Sequence, residues 1–410
     1  MFAKKQLEHT VMNKKMKIAL VCPASLPATQ FGGILFLCVD IARESAKLGH
    51  DVTIYTTDLD FANNAKTFNK KLPRLESQQG FKINRTHSWF SFKLFFVNPS
   101  MYFQLKNDLP DIIHTVGIRS FQSLVAALIS KKYKIPLVIS DQGGLTTHPD
   151  IQNSGIIGKF LYKMQEPFVK FIIKQSTMIS VPNDYEKEIF AKFSSQSKIT
   201  VIRNGVNLDQ YSVDLPDFKS KYNISGDFVL FIGRFAKVKG VDILLDAWYE
   251  IKEKTFEKNV KLVIMGVDFG FEAQMLKMIV DLGLSDHVIV IKNPPRLDVL
   301  SAYSSCIFLA LPSRWELSPL TPLEGFAFNK TTVSTTAHGI PYTITDSKNS
   351  VLVEPENHIK LADAILRLLH DQKSRTDFGD AGYKLVHDTC NSEIMAKRTL
   401  QMYEQVLADN

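Results

Sequence analysis

Phe228-Val229-Leu230-Phe231-Ile232-Gly233-Arg234-Phe235-Ala236-Lys237-Val238-Lys239-Gly240 is the stretch that decides the fold. Its first five residues are an unbroken apolar run, the pattern of a strand buried on both faces of a parallel sheet. The next eight form a basic loop bounded by glycines. From Val241 to Lys252 apolar residues recur at helical spacing, and Lys261-Leu-Val-Ile-Met265 is a second buried strand. Strand, loop, helix and strand make one βαβ unit.

The same grammar extends in both directions. Downstream it predicts strands at Val288–Ile291, Cys306–Leu311, Thr332–Thr335 and Val351–Val353, then helices through Leu369 and from Glu393 to Leu407. Upstream, Ile18–Cys22 is a strand, Pro23–Gly33 a loop ending in Gly32-Gly33, and Ile34, Leu37, Ile41, Ala42, Ser45 and Leu48 a helical stripe closed by Gly49. Strands at Asp51–Thr56, Asp111–His114, Pro136–Ser140, Met178–Val181 and Ile199–Ile202 follow, before the turn-rich Arg203-Asn-Gly-Val-Asn207. Strands alternating with helices on both sides of that turn predict two doubly wound α/β halves, with ligand near the carboxyl ends of the strands.

Length and composition agree. The 410 residues predict two or three domains at about 100–200 residues each. A hydrophobic fraction of 45% with 22% charged residues excludes wholesale disorder, collagen and small disulfide scaffolds. Four scattered cysteines (Cys22, Cys38, Cys306, Cys390) without CxxC spacing read as reduced thiols of a cytoplasmic protein. No apolar run approaches the ~20 residues of a membrane span. The net charge of +7 suits an anionic ligand or an anionic membrane surface. No finger, homeodomain or RNA-binding signature accompanies it, so nucleic acid is not expected as a partner. Residues 1–15 read as a polar extension.

Three motifs carry chemistry. In Gly233–Gly240 a strand-to-helix turn aims backbone N–H groups at an anion, and Arg234 and Lys239 add one fork-shaped and one point-like cation, a pair suited to a diphosphate. The spacing is neither a P-loop nor GxGxxG. Pro312-Ser-Arg-Trp-Glu316 and Leu-Ser-Pro-Leu-Thr-Pro-Leu-Glu324 place two glutamates seven residues apart, the first just after a buried strand and the second just inside the next helix. Glu324 is there placed to take the vicinal hydroxyls of a ribose. Gly32-Gly33 lets backbone approach a ligand closely before the first helix.

Together these features resemble the GT-B glycosyltransferases of family 4, the group 1 retaining enzymes. The resemblance spans Lys17 to about Leu407 and is most specific in the second half, where Gly-Arg-x4-Lys-Gly and Pro-Ser-x2-Glu-x7-Glu stand in the family's order. It implies two Rossmann-like doubly wound domains facing across a cleft: an acceptor-side domain at 16–203, a nucleotide-sugar-binding domain at 204–390, and a C-terminal helix at 391–410 packing back on the first domain. It implies a retaining, metal-independent transfer of a hexose from a UDP- or GDP-linked sugar to a glycan or lipid-linked acceptor, with no cofactor. Arg234 and Lys239 would hold the leaving diphosphate, Glu316 would contact the donor sugar, Glu324 the ribose, and Gly32 and Gly33 the phosphates. Contacts to the base, largely from backbone, would come near Lys292 to Pro295.

The sequence departs from the family at two places. Pro319 in Leu317-Ser-Pro-Leu320 has no N–H, so polar contacts to the donor fall to Leu320 and Thr321. The histidine common near the end of the Leu137 strand is replaced by Asp141 and Gln142, which leaves these two, His114 and His148 as acceptor-side candidates. Two basic and aromatic stretches, Lys66–Lys93 and Lys159–Lys174, point to a peripheral position at the inner face of a membrane. A sugar-nucleotide epimerase or phosphorylase of the same fold is the first alternative, although epimerases lack the full Arg, Lys and Glu-x7-Glu set. An NAD-binding dehydrogenase or a non-catalytic binding module is the second. Against it, the first turn lacks GxGxxG and no acid stands after the second strand as a clear ribose ligand.

Overall fold

The computed structural model describes residues 15–60, 67–92, 95–142, 145–146, 149 and 155–409. His148, Lys66, Lys93 and nearly all of the 1–15 extension lie outside the described residues. The chain divides into two compact units. One comprises Met1–Asp141, Gln165–Ile179 and Ala396–Asn410, the other Gln142–Met164 and Ser180–Met395. No helix among the described residues is long and apolar enough to cross a membrane.

The first sheet has eight strands: β1 (Lys17–Val21), β2 (Asp51–Thr57), β3 (Leu75–Gln78), β4 (Phe81–Thr86), β7 (Ile112–Val116), β8 (Leu137–Ser140), β9 (Met178–Val181) and β10 (Ile199–Val201). Their order is β10-β9-β8-β7-β1-β2-β4-β3. β1 pairs in parallel with β2 and β7, β2 with β4 and β7 with β8, while the edge strand β3 runs antiparallel to its neighbour β4. The apolar run Ile18–Val21 of β1 and the whole of β7, its His114 and Thr115 included, are buried on both faces, as a parallel sheet between helices requires. Between β1 and β2 runs α1 (Gly33–Lys47), whose Leu37, Ile41 and Ser45 stripe faces inward. Next come α2 (Ser100–Asp108), α3 (Phe121–Tyr133) and α4 (Ile156–Gln175).

The stretch between Phe61 and Phe96 has no helix or strand in the sequence reading, yet β3, β4 and a small hairpin, β5 (Phe90–Phe92) with β6 (Phe95–Val97), lie there. Arg85, one of its cations, is buried and structural: it donates to the carbonyls of Pro73 (2.9 Å) and Leu26 (2.7 Å) and pairs with Glu76 at 2.7 Å. Phe81 and Phe96 are core, while Trp89 and Phe90 are exposed.

The second sheet has six strands: β11 (Asp227–Ile232), β12 (Val260–Gly266), β13 (Val288–Lys292), β14 (Leu309–Leu311), β15 (Thr332–Thr335) and β16 (Ser350–Val353). All pair in parallel in the order β13-β12-β11-β14-β15-β16. Helix α5 (Val241–Glu257) runs one turn beyond Lys252 and covers the sheet with Leu244, Leu245, Trp248 and Ile251. Each such side chain contributes about 1.5–3 kcal/mol on burial. Later helices include α6 (Arg296–Ser305), α7 (Leu320–Phe326) and α8 (Ser392–Ala408). The expectation of two doubly wound α/β halves thus holds. The strand expected over Cys306–Leu311 is shorter, only Leu309–Leu311. Residues Ser180–Arg203 group with the second unit, where the Asn183 amide donates to the Leu317 carbonyl at 2.6 Å and Tyr185 Oη shares a 2.7 Å hydrogen bond with His338 Nδ1.

Candidate functional site

In the second sheet the chain winds from β11 outward to β13, then returns to lay β14 on the other side of β11. This reversal between β11 and β14 is where an open α/β sheet leaves a crevice at its carboxyl edge. The Gly233–Gly240 loop leaves β11 and the Pro312–Glu316 loop leaves β14, so two motifs 70 to 80 residues apart in the chain become neighbours.

Glycines set their spacing. A Cβ on Gly266 would lie 1.8 Å from the Gly233 carbonyl oxygen, so the β11 loop can start only over a bare backbone. Gly240 has φ 71°, and a Cβ there would stand 2.0 Å from the Pro312 carbonyl oxygen. The second approach presses the β11 loop directly onto the β14 loop. Phe235, fully buried, anchors the loop from below, and its N–H donates to Val267 O at 2.8 Å. Arg234 stays exposed, its guanidinium 4.9 Å from the centroid of the Phe269 ring, a cation–π distance. Lys239 closes a single 3-10 turn, Lys237–Lys239.

Arg314 locks the two loops together, a role the sequence reading did not assign. Its N–H donates to Val238 O (2.8 Å), and its guanidinium donates to both Asp242 oxygens (2.6 and 2.9 Å), to Glu356 (2.5 and 2.9 Å) and to Lys237 O (2.5 Å). On that frame Lys239 Nζ donates to Glu316 Oε1, and each of the two side chains keeps 18% of its surface exposed. Glu316 also stands 3.4 Å from Ser313 Oγ, and its carbonyl accepts from Gly339 N–H at 2.9 Å. The cation and the carboxylate singled out in separate motifs are therefore in direct contact.

Glu324 sits on α7, held by α6. Arg296 Nη2 donates to Oε1 at 2.6 Å and Tyr303 Oη donates to Oε2 at 2.8 Å, while Arg296 Nε donates to Gln210 at 3.2 Å. Burial, and then the Glu324 carboxylate beside it, push the Tyr303 phenol well above its ordinary value of 10, so it stays a donor. Each carboxylate oxygen keeps an acceptor lone pair for a further hydroxyl. Arg296 and Tyr303 escaped the sequence reading, which stopped at Pro295, one residue short. Leu320 and Thr321 open α7 after Pro319, where first-turn N–H groups lack acceptors within the helix.

The first unit has its own reversal, between β1 and β7. Gly32, at φ 95° and ψ −153°, turns the chain from the β1 loop into α1, which starts at Gly33 with no side-chain cap. That conformation is open only to glycine. His114 is displaced from the role sketched for it. It lies inside β7, 1% exposed, with Nδ1 hydrogen-bonded to Tyr403 Oη (2.5 Å) and Nε2 to Ser140 Oγ (2.7 Å). Burial lowers its pKa to about 3. A neutral imidazole with both nitrogens engaged and no open face is a core residue, not an acceptor-side base. Asp141 is buried at the end of β8, and Gln142 exchanges amide hydrogen bonds with Asn204 at 3.0 and 3.3 Å.

Comparison with known proteins bears on this arrangement. Residues 216–385 match the family profile described as Glycosyl transferases group 1, and residues 31–210 match that of Glycosyltransferase Family 4. An uncharacterised glycosyltransferase of Methanocaldococcus jannaschii is 29% identical over 262 residues, a match spanning 64% of this chain and 66% of that protein. A second uncharacterised glycosyltransferase of the same organism is 24% identical over 411 residues, covering 95% and 98% of the two chains. The crystal structure of Anabaena HepE in complex with UDP-glucose is similar in fold, with a TM-score of 0.75 at 16% identity, covering 95% of this chain and 100% of that one.

Proposed function

This chain belongs to the group 1 glycosyltransferases of family 4, and from that premise we propose that it is a retaining, metal-independent hexosyltransferase, using a UDP- or GDP-linked sugar and a glycan or lipid-linked acceptor at the inner face of a membrane. One observation carries the reading. A fork-shaped cation, Arg234, and a point cation, Lys239, share a glycine-bounded loop at a topological switch point, and Lys239 touches a carboxylate, Glu316, of the neighbouring loop. As the sugar leaves its nucleotide, negative charge gathers on the diphosphate, and these two cations balance it where a metal otherwise would. Glu316 meets the sugar hydroxyls. Glu324, oriented by Arg296 and Tyr303, takes the ribose, and the first-turn N–H groups at Leu320 and Thr321 face the donor. Gly32 and Gly33 bring bare backbone up to the phosphates, with the Gly32 N–H itself given to the Thr29 carbonyl at 3.3 Å. The UDP-glucose held by HepE supports a nucleotide sugar as donor. Retention then follows from attack on the sugar face that the diphosphate leaves, through an oxocarbenium-like state.

The test has two stages. A thermal-shift series with UDP, GDP and ADP identifies the nucleotide, with a rise in Tm for UDP or GDP expected. The matching hexose donor is then incubated with and without acceptor. Nucleotide released only with acceptor, and a product with the donor's anomeric configuration, is the expected result. An epimerised sugar nucleotide, or an inverted product, overturns the reading.

A further inference from the structure

Helix α4 carries two apolar faces, and among its described side chains one face is buried and the other exposed. At about 100° per residue, Phe160, Met164 and Phe168 fall within about 80° of arc, and they are 62%, 56% and 50% exposed. On the far side Val169, Ile172 and Ile173 are buried. Next to the exposed stripe, within about 60° of arc, stand Lys159, Lys163, Lys170 and Lys174, all exposed. The single acid of the helix, Glu166, lies beyond this lysine rail, towards the buried face. A globular helix ordinarily buries its one apolar stripe, so a second one left in water needs a partner.

The half of α4 from Gln165 onward, with Phe168, Lys170 and Lys174, groups with the first unit and lies beside that unit's other helices. Lys131 on α3 places Nζ 5.6 Å from the centroid of the Phe171 ring of α4. Lys132, also on α3, donates to Tyr102 Oη of α2 at 3.3 Å, beside Phe103, which is 61% exposed. Lysines interleaved with exposed aromatic side chains thus extend across three helices.

We infer that α4 lies in the headgroup plane of an anionic bilayer, with Phe160, Met164 and Phe168 against the acyl chains and the lysine rail on lipid phosphates. This rests on the proposed lipid-facing reading and names the surface that performs it. Charge and shape select the occupant. A soluble polyanion would use the lysines and leave the aromatic stripe in water. A second copy of the chain would set one lysine rail against another. An anionic bilayer satisfies both stripes of one helix at once, the arrangement of an interfacial amphipathic helix.

Flotation of the full-length protein with vesicles tests this, comparing equimolar phosphatidylglycerol and phosphatidylcholine with phosphatidylcholine alone. Binding to the anionic vesicles, weakened by added salt, is expected. The Phe160→Ser/Met164→Ser/Phe168→Ser variant should partition at least tenfold more weakly, and Lys163→Gln/Lys170→Gln about 25-fold more weakly, at roughly fivefold per lysine. In a Phe168→Trp variant, tryptophan emission should shift to the blue on adding anionic vesicles. Thermal stabilisation by the nucleotide should be unchanged in every variant, which verifies the fold and reports the donor site separately. If the wild type floats and the serine variant floats equally, or the emission of the Phe168→Trp variant stays put, the α4 surface is overturned while a lipid-facing enzyme survives. No flotation of the wild type at low salt overturns both. A lipid-free dimer that the serine variant dissociates overturns the inference in favour of self-association.

Discussion

Lys239 and Glu316 form an ion pair that ties the loop leaving β11 to the loop leaving β14. A carboxylate thus occupies the lysine, and under the proposed function the donor diphosphate would compete for it. Two outcomes follow. Lys239→Ala should lower kcat by about 10²–10³, the usual cost of removing one donor to developing charge, and should shrink the Tm rise given by UDP or GDP. Glu316→Gln removes the competitor, so nucleotide stabilisation should persist or grow while transfer falls. A Glu316→Gln protein that no longer responds to nucleotide would show that the pair is structural.

Arg234 stands over the Phe269 ring at 4.9 Å, and that contact pre-aims its planar fork. Arg234→Lys keeps the charge but loses the bidentate geometry, so it should behave more like Arg234→Ala than like wild type. Steady-state kinetics on the donor would decide it. Near-wild-type transfer by the lysine variant would mean that the fork is not used.

Tyr303 reaches Glu324 at 2.8 Å from a fully buried position. Tyr303→Phe removes one donor at constant shape, which leaves Glu324 held by Arg296 alone. The loss should be about 1–2 kcal/mol, an order of magnitude in donor KM with kcat little changed. A fall in kcat with KM unmoved would place Glu324 in the chemistry instead of on the ribose.

These contacts show how far the sequence alone reaches. Both motif loops were legible because apolar runs such as Phe228–Ile232 and the flanking glycines are local signals that a parallel sheet turns directly into position. Contacts that depend on the sheet order were not. Nothing near Arg314 announces that it will bind Asp242 and Glu356, 72 and 42 residues away, and Arg296 and Tyr303 meet Glu324 only because α6 packs beside α7. The strands β3 to β6 were hidden by composition: Arg85 reads as a surface cation until Glu76 and two carbonyls enclose it. His114 misled for the opposite reason. A histidine at the end of an apolar run looks placed for chemistry, and only its partners Ser140 and Tyr403, the latter 289 residues away, reveal a core role.

Gly240 offers a test of the loop geometry with an internal control. Gly240→Ala meets both a positive φ and a carbonyl oxygen 2.0 Å from the new Cβ, whereas Gly270, at φ 91°, has nothing within 4 Å. Left-handed strain alone costs about 1–2 kcal/mol. Gly270→Ala should therefore lose about that much stability, and Gly240→Ala should lose more and also weaken nucleotide binding by displacing Lys239. Denaturant midpoints for the two variants measure the difference. Equal losses would mean that the β14 loop yields freely.

The buried His114 should give the protein a distinct acid sensitivity. Its folded pKa is lowered to about 3, against about 6.5 unfolded, so the unfolded chain binds the extra proton between those values. The sign follows: the neutral ring's contribution is full above pH 6.5 and is lost as pH falls towards 3. At pH 5 the loss is about 2 kcal/mol relative to pH 7.5, at 1.36 kcal/mol per unit over about 1.5 units. His114→Gln cannot titrate, so whatever it costs at pH 7.5 it should lose about 2 kcal/mol less than wild type between pH 7.5 and pH 5. Urea unfolding at the two pH values gives the comparison. Parallel losses in both proteins would mean that His114 is protonated without penalty, and that its hydrogen bonds to Tyr403 and Ser140 do not require a neutral ring.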